Sequence, residues 1–242
     1  MKGVLGKSGW ILTVALPLVV AGCDMIEYHP YDLDIDGKTG INSENIAEIS
    51  ALLDGKEEIS FAVISDTQRW YDETEDAVAD INARSDIDFV VHTGDLSDFG
   101  AKLEFELQRD ILEKLQVPYV CLLGNHDCVA TGKHVFNKIF GEDNFVFTAG
   151  NVQFVCVNTT VVAMHAGPYS EQFNNNIAGV FEFYIRRLPD LQFCIYGHGH
   201  QLAVDEYFDD GVLYYQCPCA RKRTYLHFTI TKDGYDYEAV EY

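Results

Sequence analysis

Three apolar runs in the first half of the chain each stop at a polar cluster bearing acidic, amide or imidazole side chains, and this repetition limits the fold severely. Residues 59–65 (Ile-Ser-Phe-Ala-Val-Ile-Ser) deliver Asp66, residues 89–92 lead through Thr93-Gly94 to Asp95, and residues 117–123 deliver Gly124-Asn125-His126-Asp127. A strand buried on both faces reads as a continuous apolar run, as the central strands of parallel sheets do. Open α/β sheets hold their ligands just beyond the carboxyl ends of such strands. Three neighbouring strand ends therefore place Asp66, Asp95, Asn125 and His126 around one crevice. Carboxylate, amide oxygen and imidazole together suit hard or borderline divalent ions.

Two later features extend the series: the isolated His165 and the turn Gly197-His198-Gly199-His200. In this order the blocks resemble the calcineurin-like metallophosphoesterases, whose pattern runs D-x-H, GD with a further acid, GNH[DE], a lone His and GHxH. The first block departs from it, because Ser65-Asp66-Thr67-Gln68 carries Gln where the commoner pattern carries His. The resemblance implies an α/β fold, a four-layer sandwich of two mixed β-sheets flanked by helices. It also implies a phosphomonoesterase or phosphodiesterase that holds two divalent metal ions (Mn, Fe or Zn), with a hydroxide bridging them as the nucleophile. By the same resemblance one ion takes Asp66, Gln68 and His200, the other takes Asn125, His165 and His198, and Asp95 bridges the two. His126 then protonates the leaving oxygen, Asp127 orients the His126 imidazole, and Asp98 supports the site from behind. Gln68 lacks the basicity of imidazole, so the first position is expected either to bind its ion less tightly or to favour a harder ion. Arg69 is a substrate candidate, since its planar fork suits phosphate oxygens, and a surface salt bridge is the competing reading. The alternative function keeps the fold but impairs the site, leaving a binding or scaffolding protein.

The N-terminus reads as an export signal. Lys2 and Lys7 precede an apolar run over 10–21 that is short for a bilayer span, and Val20-Ala21-Gly22-Cys23 has the look of a bacterial lipoprotein signal. Residues 1–22 are expected to be removed, leaving Cys23 lipidated and the protein anchored in the cell envelope. Residues 23–50 are then a polar tether with His29 in a loop, and 51–242 form one domain. A formal charge of −21 argues against nucleic acid as a partner. It leaves room for a phosphorylated small molecule or lipid headgroup, because bound cations reverse the local field.

Periodicity places a helix over 73–84 with Ala77, Val78 and Ile81 inward. A second helix over 101–116 has Leu103, Leu107, Ile111 and Leu115 at spacing four, the stripe of an amphipathic helix. His92, inside an apolar run, reads as a core histidine. Cys121, Cys156 and Cys194 read as buried small hydrophobes. Residues 145–158 suggest a hairpin about Ala149-Gly150-Asn151. After it, only Thr159 and Thr160 separate Asn158 from Val161, too few for a crossover between parallel neighbours. One extended strand over 152–164 is therefore expected. It would carry His165 away from the second metal position and weaken that position.

Overall fold

The structure, a computed structural model, describes residues 29–156, 163–188 and 191–242. The signal expected over 1–22 and the lipidation expected at Cys23 lie outside the described residues. In chain order the elements are α1 (Ile41–Leu52), β1 (Ile59–Ile64), α2 (Tyr71–Ala83), β2 (Phe89–His92), α3 (Lys102–Leu112), β3 (Tyr119–Cys121) and α4 (Gly132–Ile139). There follow β4 (Phe145–Ala149), β5 (Val152–Cys156), β6 (Ala163–Met164), α5 (Ala178–Ile185), β7 (Phe193–Tyr196), β8 (Ala203–Asp205), β9 (Leu213–Gln216), β10 (Thr224–Thr231) and β11 (Gly234–Glu241).

Two mixed sheets result, ordered β11-β10-β1-β2-β3 and β4-β5-β6-β7-β9-β8. In the first, β1, β2 and β3 run parallel. In the second, β5, β6, β7 and β9 do. Residues of β1 and β2 are buried throughout, which is why their sequences are unbroken apolar runs. Side chains from both sheets meet in a shared core, where Phe61 stacks on Phe89 at 5.2 Å and meets Phe154 of the other sheet edge-on at 5.2 Å. Burying each such ring contributes about 1.5–3 kcal/mol. A second apolar cluster lies between the first sheet and α2, α3 and α4, and a third joins β7 and β9 to α5.

Three expectations need correction. Residues 41–50, read as tether, belong to α1, which covers the β3 edge of the first sheet. Asn42 Nδ2 donates to the Cys121 carbonyl (2.9 Å), its Oδ1 accepts from the Cys121 N–H (2.9 Å), and Asn45 Nδ2 donates to the Tyr119 carbonyl (2.7 Å). Two buried amides thus take up backbone groups that an open sheet edge would leave to solvent. On α3 the inward face is Phe105, Gln108, Arg109, Ile111 and Leu112, while Leu103 and Leu107 are exposed. Phe105 packs against Phe136, and Gln108 Nε2 donates to the Thr67 carbonyl at 2.6 Å, so a polar residue claims a core position that spacing alone gave to leucine. Finally, β5 and β6 are separate parallel neighbours and not one strand, paired through Cys156 and Ala163. The last residue of β5 lies beside the first of β6, so the link needs no return run along a strand. That removes the reason for a dozen-residue crossover. The linking residues, 157–162, lie outside the described residues.

Candidate metal centre

The candidate site residues stand at the carboxyl ends of parallel strands. Asp66 and Gln68 follow β1, Asp95 follows β2, Asn125 and His126 follow β3, His165 follows β6, and His198 and His200 follow β7. The strand ends are tied together by backbone bonds: Asp66 N–H to the Gly94 carbonyl (3.0 Å), Gln68 N–H to the Asp95 carbonyl (3.1 Å) and Gly197 N–H to the His165 carbonyl (2.9 Å). The turns are tight. Asp66, Asp95, His198 and His200 all have positive φ, from 52° to 65°. A left-handed backbone costs a non-glycine residue of order 1–3 kcal/mol and clusters at functional sites. At Gly197 a Cβ would stand 2.0 Å from Ser65 Oγ, so only glycine lets the second sheet come this close to the first.

Two groups of side chains converge, Asp95 with His165 and His198, and Asp66 with Asp95 and His200, and they share Asp95. His165 Nε2 lies 3.2 Å from Asp95 Oδ2, and His200 Nε2 lies 3.0 Å from Asp66 Oδ1. Yet Asp66 Oδ1 and Asp95 Oδ2 are buried with no aligned hydrogen-bond partner, as is Gln68 Oε1. The contacts are close but the lone pairs are aimed elsewhere. Buried oxygens without partners are costly unless something positive meets them. Asn125 Oδ1 sits 2.9 Å from His165 Nε2 and 3.0 Å from His198 Nδ1. His165 Nδ1 lies 3.0 Å from the Thr93 carbonyl, which can only accept, so that nitrogen carries the proton. Nε2 faces Asp95 Oδ2 and Asn125 Oδ1, and a cation among these oxygens would take the place of the Nε2 proton and receive its lone pair. The donor set fits divalent ions: carboxylates, amide oxygens and imidazoles.

The electrostatics follow from crowding. Burial alone would raise the Asp66 carboxyl, but the approach of His200, the field of His165 and the Ser65 hydroxyl hold it below the usual carboxylate range. Burial pulls His165 down, and the Asp95 carboxylate more than reverses this, taking it to about 9. His198 is lowered by burial and then by His165, while His200 is raised chiefly by Asp66.

Around these groups lies a layer that the sequence did not announce. Ser65 Oγ donates to Asp66 Oδ2 (2.5 Å) and itself accepts from Thr93 Oγ1 (2.7 Å). The other hydrogen bond to Asp66 Oδ2 comes from the His198 N–H (3.0 Å). Hydroxyls at strand ends are common, so nothing marked these two. His92 is a core histidine as expected, its Nε2 2.9 Å from Thr67 Oγ1, and burial takes it down to about 4. Asp127 does not orient His126. Its carboxylate is fully buried and accepts from the N–H groups of Asp95 (2.9 Å), Ser97 (2.8 Å) and Gly124 (2.9 Å), so it holds the two strand ends together. Burial and the charge of Asp95 push it up to about 6. Asp98 performs the orienting role instead: His126 Nδ1 lies 3.0 Å from the Asp98 carbonyl and 3.4 Å from its Oδ1. The backbone turn directs Asp127 inward and Asp98 towards the ring, which adjacency in sequence cannot show. Arg69 pairs with the same Asp98 Oδ1 at 2.5 Å while its side chain stays 62% exposed at the rim.

Buried oxygens and imidazoles gathered where the parallel strands of two facing mixed sheets end define an α/β sandwich with a candidate metal site. The family model for calcineurin-like phosphoesterases matches residues 59–202, more than half the chain, and the protein belongs to that family. A 3',5'-cyclic-nucleotide phosphodiesterase of Nostoc sp. is 33% identical over 78 residues, which is 32% of this chain and 29% of that relative's length. Among solved structures, GAP50, the anchor in the inner membrane complex of Plasmodium, superimposes with a TM-score of 0.56 at 10% identity, covering 77% of this chain and 85% of its own. Vacuolar Protein Sorting 29 from Cryptosporidium parvum is 16% identical with a TM-score of 0.44, covering 77% of this chain and 99% of its own. The two structural likenesses concern the fold alone.

Proposed function

We propose that this protein hydrolyses a phosphoester at a dinuclear centre in which Asp66, Gln68 and His200 hold one divalent ion, Asn125, His165 and His198 hold the other, and Asp95 serves both. The observation that carries this reading is the sharing of Asp95 between the two converging groups, with its Oδ2, Asp66 Oδ1 and Gln68 Oε1 all buried without an aligned hydrogen bond. When bound, the ions would supply Lewis acidity to the phosphoryl oxygens and lower the pKa of an attacking water.

The chain's own groups do the rest. Asp95 Oδ1 accepts the His126 N–H at 2.9 Å, which locks the bridging carboxylate to the turn that carries the acid. Asp98 fixes His126 by Nδ1, and Nε2 has no partner among the described residues, leaving it free to give a proton to the leaving oxygen. Arg69 stands on the far side of Asp98, where its exposed guanidinium can meet a substrate oxygen. The purified chain, loaded with Mn²⁺, is expected to cleave bis(4-nitrophenyl) phosphate or 4-nitrophenyl phosphate and to lose that activity to a chelator. A chain that binds no ion in excess Mn²⁺, Zn²⁺ or Fe²⁺ and cleaves neither ester would instead be a binding or scaffolding protein.

A further inference from the structure

Four large apolar side chains stand exposed beside the candidate acid: Phe99 at 60%, Leu103 at 46%, Leu107 at 41% and Val129 at 42%. Phe99 directly follows Asp98, and Val129 closes the turn that begins at His126. The two segments touch. A Cβ on Gly100, whose φ is +67°, would lie 2.1 Å from the Val129 carbonyl oxygen, so glycine is what lets them meet. Leu103 and Leu107, one turn apart, carry the apolar surface along the outer face of α3. Contiguous apolar surface at the mouth of a site marks a place that meets something other than water.

The N-terminal chain joins the fold at the same place. Lys102 N–H, in the first turn of α3, donates to the Pro30 carbonyl at 2.9 Å, and Thr131 Oγ1 donates to the Tyr31 carbonyl at 3.1 Å. Between Cys23 and His29 the chain can extend about 20 Å at most. An acyl chain on Cys23 would therefore hold this rim, and not the opposite end of the sandwich, close to a bilayer. The four side chains carry no charge and the whole chain carries −21, so attraction to anionic lipid does not drive the contact. Apolar insertion does: the lipid anchor expected at Cys23 supplies the attachment, and the apolar rim sets which face of the domain meets the bilayer.

We propose that this rim is a membrane-docking face: Phe99, Leu103, Leu107 and Val129 sit in the interfacial layer of a bilayer, and the substrate is a phosphoester presented at that surface. The substrate part rests on the phosphohydrolase reading above, while the docking part does not. Helix α5 provides a control, since its Val180, Phe183 and Tyr184 are comparably exposed. The N-terminal segment bonds elsewhere, through Pro30, Tyr31 and Leu33 to α3, Thr131 and α4.

The test uses the full chain, as acylated by its host, on phosphatidylcholine vesicles carrying phosphatidic acid and a nitroxide-labelled lipid. A fluorophore on Cys128, the exposed native cysteine beside Val129, is expected to be quenched about twofold or more. The same label on Tyr184→Cys, in a Cys128→Ser background, is expected to stay unquenched. The double variant Leu103→Asp/Leu107→Asp should cleave soluble bis(4-nitrophenyl) phosphate or 4-nitrophenyl phosphate within about twofold of the parent, yet cleave the vesicle phosphoester about tenfold more slowly or worse. An unquenched label at Cys128, or quenching at position 184 in its place, overturns the docking face. Equal rates of parent and double variant on the vesicle substrate overturn its role in catalysis. Quenching at Cys128 with no hydrolysis of any ester sustains the docking face and sinks the phosphohydrolase reading alone.

Discussion

The two sheets contribute unlike halves to the site. From β1, β2 and β3 come oxygens, on strands buried along their whole length, and the carboxylates are pinned by Ser65, by N–H groups of neighbouring turns and by the buried Asp127 behind them. From β6 and β7 come imidazoles, and β6 is two residues long, paired to β5 at a single position. His200 keeps 48% of its side chain exposed, whereas Asp66 beneath it has none exposed. One half is thus preorganised charge and the other is a set of imidazoles that closes over it. Preorganised groups lose little on binding, so the oxygen half should dominate both ion affinity and rate.

The largest expected effect is at the residue both positions share. Asp95→Asn replaces a carboxylate with an amide and should lower turnover on the order of 10³-fold or more, measured as kcat/KM on a soluble phosphoester. His126→Ala, also in the first half but not a ligand, should cost about 10²-fold in kcat while both ions stay bound. If ions leave with His126, it is a ligand and the division drawn here is wrong. Gln68→His gives the oxygen half an imidazole and should tighten the first ion by roughly tenfold in a metal titration, the scale on which ligand basicity acts. The smallest effect belongs to Ser65→Ala. It removes one of the hydrogen bonds to Asp66 Oδ2 and should weaken that ion only a few-fold, since His198 N–H still holds the oxygen, at a stability cost of about 1 kcal/mol seen in thermal unfolding.

The difference between the halves also explains what could be read from sequence. Asp66, Asp95 and Asn125 were legible because an apolar run ending in a polar cluster is the one-dimensional trace of a strand buried on both faces. The strands themselves, α2 with Ala77, Val78 and Ile81 inward, and the β4–β5 hairpin followed from the same logic. His165 was harder, because its delivery depends on where β6 starts relative to the end of β5, a matter of register that link length does not encode. The roles of Asp98 and Asp127 turn on side-chain direction within one turn, and adjacency to His126 pointed to the wrong acid. Helix α1 escaped because its buried face mixes Ile41 and Ile49 with Asn42 and Asn45, which are buried to bind a strand edge, so the apolar stripe is interrupted. In each case the missing information was who meets whom across the fold, which local pattern does not carry.

If Asp95 serves two ion positions, its loss empties both, whereas loss of a ligand to one position empties only that one. Metal content per chain, measured after Mn²⁺ loading and removal of free ion for the parent, Asp95→Asn and His200→Ala, tests it most directly. Two ions are expected in the parent, fewer than one in Asp95→Asn and about one in His200→Ala, which loses a ligand of a single position. Two ions retained in Asp95→Asn, or both lost from His200→Ala, would contradict it.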